Sequence, residues 1–156
     1  MDEIRTEHIP IVRPSWDEYF LKIAKDVSLR SHDAQTKHGC VIVNRKNRPL
    51  GFGYNGFPHA MDDTTLPNVR PAKYLWMIHS EVNAVTNCTK KPKKATAYVT
   101  GEPCNNCLIH LWENGVQKVV YIDGHGSFLL NEETRGQRET FIRQTGMILV
   151  PYKGEI

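Results

Sequence analysis

Residues 79–107 read HSEVNAVTNCTKKPKKATAYVTGEPCNNC, and the succession of elements in this stretch decides the fold. Residues 81–88 read as a short helix. Lys90-Lys91-Pro92-Lys93-Lys94 is a polar turn interrupted by Pro92. Residues 95–100 are an apolar run of strand type, and 104–114 form a second helix that stops at Gly115. A strand between two helices brings both helix N-termini to the same end of a sheet. Residues 118–122 supply the next strand, 132–144 a helix stopped at Gly146, and 147–151 the last strand.

Upstream, Pro14-Ser15-Trp16-Asp17-Glu18 carries a helix start, with Ser15 as cap and Glu18 as its box partner. Trp16, Phe20, Ile23, Ala24 and Val27 recur at helical spacing, so the first helix runs to about Arg30 and turns most of this stripe to the core. After a loop at 31–38, two short apolar runs at 39–43 and 50–54 flank a polar turn and predict a hairpin. A long loop covers 55–71; loops of that length commonly carry function. The order predicts a three-layer α/β/α sandwich with a five-stranded mixed sheet, antiparallel in the hairpin and parallel in the later β-α-β units. Residues 1–13 read as an N-terminal arm, 14–152 as one domain, and 153–156 as a tail.

Composition narrows the classes. Across 156 residues, 40% are hydrophobic and 24% charged, and aromatic residues are spread along the chain, which fits a folded globular domain. No apolar run approaches the roughly 20 residues needed to span a bilayer, so no membrane partner is expected. The first residues have no secretory pattern, and the cytoplasm, or a host's cytoplasm for a viral chain, is the expected compartment. Lys and Arg number 20 against 17 Asp and Glu, a net charge of +3. That excess is small for a protein that grips a nucleic-acid polymer, and the lysine cluster at 90–94 reads as a solvated turn.

Four cysteines stand at 40, 88, 104 and 107. Cys40 and Cys88 sit in apolar segments and read as small buried hydrophobes. Cys104 and Cys107 form a C-x-x-C directly after Pro103, whose spacing at a helix start sets both sulfurs on one face. Such a pair alone also fits a redox motif or half of a structural zinc knuckle, but no second C-x-x-C exists. His79 lies 25 residues before Cys104, at the start of the preceding helix. His79, Cys104 and Cys107 then supply three zinc ligands and leave one position open, the catalytic rather than the structural pattern. Glu81 is placed to move protons as a general acid and base. Together His79, Glu81, Pro103, Cys104 and Cys107 match the H-x-E…P-C-x-x-C pattern of zinc deaminases that act on nucleobases.

With these residues in view, the chain resembles the deoxycytidylate (dCMP) deaminases of the cytidine deaminase superfamily, bacterial and viral type, over about 14–152. Gly53-Tyr54-Asn55-Gly56-Phe57-Pro58 resembles their G-Y-N-G-x-P. His79-Ser80-Glu81-Val82-Asn83-Ala84 resembles H-A-E-x-N-A, with Ser80 where Ala is usual. Tyr98-Val99-Thr100 and Pro103–Cys107 resemble Y-V-T…P-C-x-x-C. The resemblance implies a zinc hydrolase that converts dCMP to dUMP and ammonia. It also implies a homo-oligomer, most often a hexamer, activated by dCTP with magnesium and inhibited by dTTP. Asn55 is the residue expected to meet the nucleotide's sugar and phosphate. The 5′-phosphate falls to Arg30, Lys37 or His38, and Gly53, Tyr54, Gly56 and Phe57 belong to a possible effector loop. Residues 55–78 contain no Cys and only His59, so a second zinc site is not expected. Asp123-Gly124-His125-Gly126-Ser127 is either a turn or a lip over the pocket. The exposed apolar side chains expected at Phe57, Met61 and Leu66 are a motive for a covering partner chain. The competing readings are a deaminase of tRNA or single-stranded DNA, disfavoured by the mild charge, and a zinc-stabilised binding module, disfavoured by Glu81.

Overall fold

The computed structural model describes residues 3–126 and 130–156. Helix α1 (Trp16–Ser28) starts where Ser15 Oγ accepts the Glu18 N–H at 3.1 Å. It ends short of Arg30, because the N–H groups of Leu29 and Arg30 close tight turns onto Asp26 and Val27. Strands β1 (Gly39–Val43) and β2 (Pro49–Tyr54) form the expected antiparallel hairpin. After the long loop come α2 (Ser80–Thr86), β3 (Ala95–Val99), α3 (Asn105–Glu113), β4 (Val116–Ile122), α4 (Glu132–Thr145) and β5 (Ile148–Tyr152). The sheet order is β2-β1-β3-β4-β5. β1 is antiparallel to β2 and to β3, while β3, β4 and β5 are parallel, so the sheet is mixed.

β1 shows why three layers form. All five of its residues are buried. Cys40 and Ile42 turn to one face and join Ala84, Leu108, Leu111 and Val119; Val41 and Val43 turn to the other and join Phe20, Leu21 and Ala24. A strand apolar on both faces needs cover on both. α1 covers one face; α2 and α3 cover the other, where Phe141 and Ile142 of α4 also pack. Burial of an aliphatic side chain contributes about 1.5–3 kcal/mol, and Leu108 and Leu111, both fully buried, anchor α3. Against β2, α2 lies so close that a Cβ on Gly53 would come within 2.2 Å of the Ala84 nitrogen. Only glycine lets α2 sit this near the sheet.

The long loop is more ordered than its sequence shows. It contains a 3-10 turn at Ala72–Leu75, and Gly56 and Ile78 exchange backbone hydrogen bonds of 3.1 and 2.8 Å. Phe57 packs edge-on against His32 and Trp76, at ring separations of 4.3 and 5.8 Å. Phe57, Met61 and Leu66 are therefore half-buried on their own chain, not the exposed apolar surface expected there. Large exposed apolar side chains lie in the N-terminal segment, at Ile4, Ile9, Ile11 and Val12, and in the loop region at Val69, Tyr74 and Leu75. No helix among the described residues is long and apolar enough to cross a membrane.

Candidate active site

Two helix starts build the centre. His79 is the N-cap residue of α2 and Cys104 that of α3, and neither side chain caps its own helix. Both turn to one another. His79 Nδ1 lies 3.2 Å from Cys107 Sγ and 3.5 Å from Cys104 Sγ, and the three donor atoms all fall within 4.8 Å of one another. Zinc bonds of about 2.1 Å to nitrogen and 2.3 Å to sulfur place tetrahedral donors roughly 3.6 Å apart, so the spacing fits. The electrostatics fit as well. A hydrogen bond from Cys107 pulls the Cys104 thiol down to about 4, with help from His79. Cys107 is pushed far up by that same partner, by burial and by Glu81. Two adjacent thiolates repel without a cation between them; a divalent ion removes the conflict.

Glu81 is 5% exposed, and its carboxylate accepts a 2.5 Å hydrogen bond from Ser80 Oγ. It lines one pocket with His79, Cys104, His38, Asn55 and Arg70. Ser80, which stands where the resemblance has Ala, thus orients the expected proton carrier. The pocket wall also includes Gly126, whose bridge to Glu102 and the 2.8 Å bond from Glu102 N–H to the His125 carbonyl pin residues 125–126 beside the site. That placement is a lip and not a free turn; Ser127, the last residue of that stretch, lies outside the described residues.

The expected substrate contacts are redistributed. Asn55 is buried in the pocket wall, but its amide is committed to its own chain. Oδ1 accepts the His38 N–H at 2.8 Å, and Nδ2 donates to the Thr36 carbonyl at 2.9 Å and to Asp33 at 3.3 Å. It works first as a strut for the 31–38 loop. Arg30 is exposed, with its guanidinium 6.0 Å from the Tyr54 ring centre, and does not line the pocket. Lys37 lines a neighbouring groove with Lys25 and His125. Only His38 of the three expected phosphate contacts reaches the pocket over Glu81. Of the proposed loop residues, Gly53 serves the α2 contact, while Gly56 ties the loop to the residue before His79.

The cations the structure brings to the pocket come from the long loop. Arg70 donates to Thr36 Oγ1 and to the Tyr74 hydroxyl, both at 2.8 Å. Lys73 donates to both Asp33 oxygens at 2.9 and 2.7 Å, and each partner is only 2% exposed. Burial alone raises the Asp33 carboxyl; Lys73 and the Thr36 and Gln35 amides outweigh it and hold it below the ordinary value. Arg138 of α4 is also buried. It donates to Glu102 at 2.7 Å, to Asn105 at 2.9 Å, and to the Pro103 carbonyl, and so grips the segment on both sides of Cys104.

Comparison with known proteins agrees with this centre. The sequence model described as "Cytidine and deoxycytidylate deaminase zinc-binding region" matches residues 14–123. A probable deoxycytidylate deaminase of Caenorhabditis elegans is 42% identical over 110 residues, covering 67% of this chain and 55% of that protein. The deoxycytidylate deaminase of Mus musculus is 34% identical over 133 residues, covering 81% of this chain and 74% of its own length. The chain therefore spans between about half and three-quarters of these relatives. In fold, it is similar to the dCMP deaminase from the cyanophage S-TIM5 solved with dCMP and dUMP, with a TM-score of 0.70 and 20% identity over 91% of this chain and all of that one. The matched region contains the His79, Cys104 and Cys107 cluster, and a chain with this match and this donor set belongs to the cytidine and deoxycytidylate deaminase family, whose domain binds zinc.

Proposed function

We propose that this protein hydrolytically deaminates dCMP to dUMP and ammonia. One observation carries the reading: a buried carboxylate, Glu81, shares a pocket with an N,S,S donor set suited to one zinc ion. His79, Cys104 and Cys107 would hold the metal. When bound, zinc acidifies water and so supplies the nucleophile for C4 of the cytosine ring. Glu81 takes the proton released by that water and passes one to ring N3. It then carries the proton of the new C4 hydroxyl to the departing amine, so the water oxygen stays as the C4 carbonyl and ammonia leaves. Ser80 holds the carboxylate for these transfers. Cytosine nucleotides carrying a 5′-phosphate are the favoured substrates, because Arg70, an exposed cation, lines the pocket. Deoxycytidylate deaminases among the relatives support the choice of dCMP.

A polymer substrate is disfavoured by charge placement. The exposed lysines at 90–94 precede β3, whereas the centre follows it, one strand length of about 17 Å away. The reading extends to regulation: a homo-oligomer, hexameric in the resemblance, activated by dCTP with magnesium and opposed by dTTP. The Gly56–Ile78 bridge supports it, since a ligand on the 53–57 segment would act next to His79. The cytoplasm, or a host's cytoplasm for a viral chain, is the compartment that goes with this reading.

The test is ammonia release from dCMP, deoxycytidine, dCTP and tRNA by wild type and Glu81→Gln. Turnover of dCMP by wild type, lowered on the order of 10²–10⁴-fold in the variant with zinc retained, is the expected result. Near-normal turnover in Glu81→Gln would remove Glu81 from the proton path. Light scattering with dCMP rate curves at varied dCTP and dTTP tests the regulatory part; a monomer, or curves that ignore both effectors, refutes it.

A further inference from the structure

His38 stands where the pocket over Glu81 meets the groove past Lys37 and His125, and it lines both. Its backbone N–H is fixed on Asn55. Its ring is held on two sides. Nδ1 lies 3.2 Å from Thr100 Oγ1. Cε1 rests over Gly101, where a Cβ would come within 2.8 Å of it. Nε2 has no hydrogen-bond partner among the described residues, yet it is not sealed away: the one buried, unpartnered side-chain nitrogen or oxygen among them is His32 Nε2.

Counting hydrogens decides the tautomer. Thr100 is buried, and its Oγ1 already accepts the Gly39 N–H at 3.1 Å. The hydroxyl proton has one acceptor among the described residues, His38 Nδ1. Were the ring proton on Nδ1, the hydroxyl oxygen would accept twice and its own proton would have no acceptor among the described residues. The hydroxyl therefore donates to Nδ1, and the ring proton sits on Nε2. Burial lowers the imidazole below its ordinary pKa, the charges of His79 and His125 act the same way, and Glu81 and Asp33 oppose them. The net direction keeps the ring neutral at pH 7.

We propose that His38, set as the Nε2–H tautomer by Thr100, is a substrate-binding residue that donates a hydrogen bond to an acceptor on the base or sugar of the bound nucleotide. This rests on the nucleotide-deaminase reading. A neutral donor is a weak partner for a phosphate compared with the Arg70 guanidinium. Its ring also lies close enough to Glu81 and His79 for their charges to act on it, which is the reacting end of the pocket.

The test has two arms on the intact, zinc-loaded protein. Ring ¹⁵N spectra, with His38 assigned by its loss in His38→Gln, should show Nδ1 bare and Nε2 protonated. Thr100→Val should mix the tautomers and Thr100→Ser should restore them. In kinetics, His38→Leu should lower kcat/KM about 3- to 10-fold, mainly through KM, and equally on dCMP and deoxycytidine. His38→Gln, which returns an N–H near the same place, should recover most of it. A protonated Nδ1 in wild type overturns the tautomer. Unchanged kcat/KM in His38→Leu overturns the donor role, and a loss confined to dCMP reassigns the ring to the phosphate. A wild type inactive on both substrates sinks the deaminase reading and the donor's target with it, while the ring spectrum still decides the tautomer.

Discussion

Replacing Lys73 with Met removes one half of a pair in which both side chains are 2% exposed. The aliphatic stem is kept, so the change isolates the charge. Deleting one partner of a buried ion pair costs about 3–5 kcal/mol, because the other is left desolvated and uncompensated. Asp33 would keep the Gln35 and Thr36 amides at 2.8 and 3.0 Å and the Asn55 amide at 3.3 Å. That places the loss at the lower end, about 3 kcal/mol, or roughly 6–12 °C in Tm for a domain of this size. The pH dependence is set by Asp33. In wild type its carboxyl lies below the ordinary value, so its contribution is present at neutral pH and is lost as pH falls through the folded-state pKa. Without Lys73 the largest influence remaining is burial, which raises the carboxyl. Protonation then relieves the variant, and its deficit should narrow as pH falls from 7 toward 5. Urea unfolding followed by tryptophan fluorescence, at fixed excess zinc, reads both quantities. A deficit below about 1 kcal/mol at pH 7, or one that grows on acidification, would refute the reasoning. Asp33→Asn combined with Lys73→Met should recover most of the loss.

Cys104→Ser should lose zinc and activity together, since a serine hydroxyl is not ionised at neutral pH; stoichiometric zinc by elemental analysis in that variant would count against Cys104 as a ligand. Arg138→Leu should leave secondary structure intact but weaken zinc affinity roughly 10- to 100-fold, the usual scale for a residue supporting metal ligands; competition with a chromogenic chelator measures this, and unchanged affinity denies the clamp a role. Arg70→Ala should reduce kcat/KM for dCMP on the order of 10-fold and leave deoxycytidine unchanged, the scale of a lost charged hydrogen bond; equal losses on both substrates would show a structural effect.

The centre was legible because it is local. His79 and Glu81 are two residues apart, Cys104 and Cys107 three, and helix geometry turns such spacings into a shared face. The hairpin and the later β-α-β order were legible for the same reason, since apolar runs and glycine stops are near-neighbour signals. The supporting shell was not. Lys73 meets Asp33 across 40 positions and Arg138 meets Glu102 across 36. In sequence each reads as one more surface charge, and only the packed chain shows that it is buried. Arg30 and Lys37 lie near the 31–38 loop in sequence, but α1 ends before Arg30, which is exposed, and Arg70 lines the pocket in its place. Helix α4 illustrates the same gap. Asn131 caps its start by accepting the Thr134 N–H, and its one buried side chain is the arginine that grips the Cys104 segment.

In the β1–β3 ladder Cys40 faces Val99, so the residues just beyond that pair, Gly39 and Thr100, leave the sheet side by side. His38 and Thr100 are thereby neighbours although 62 positions separate them. Strand register is held by packing: β1 is buried on both faces, and a slip of one residue would exchange every side chain between two differently packed clusters. The same choice selects which nitrogen of an imidazole carries a proton. Apolar side chains deep in the sheet thus bear on the protonation pattern of a polar group where two inner strands end.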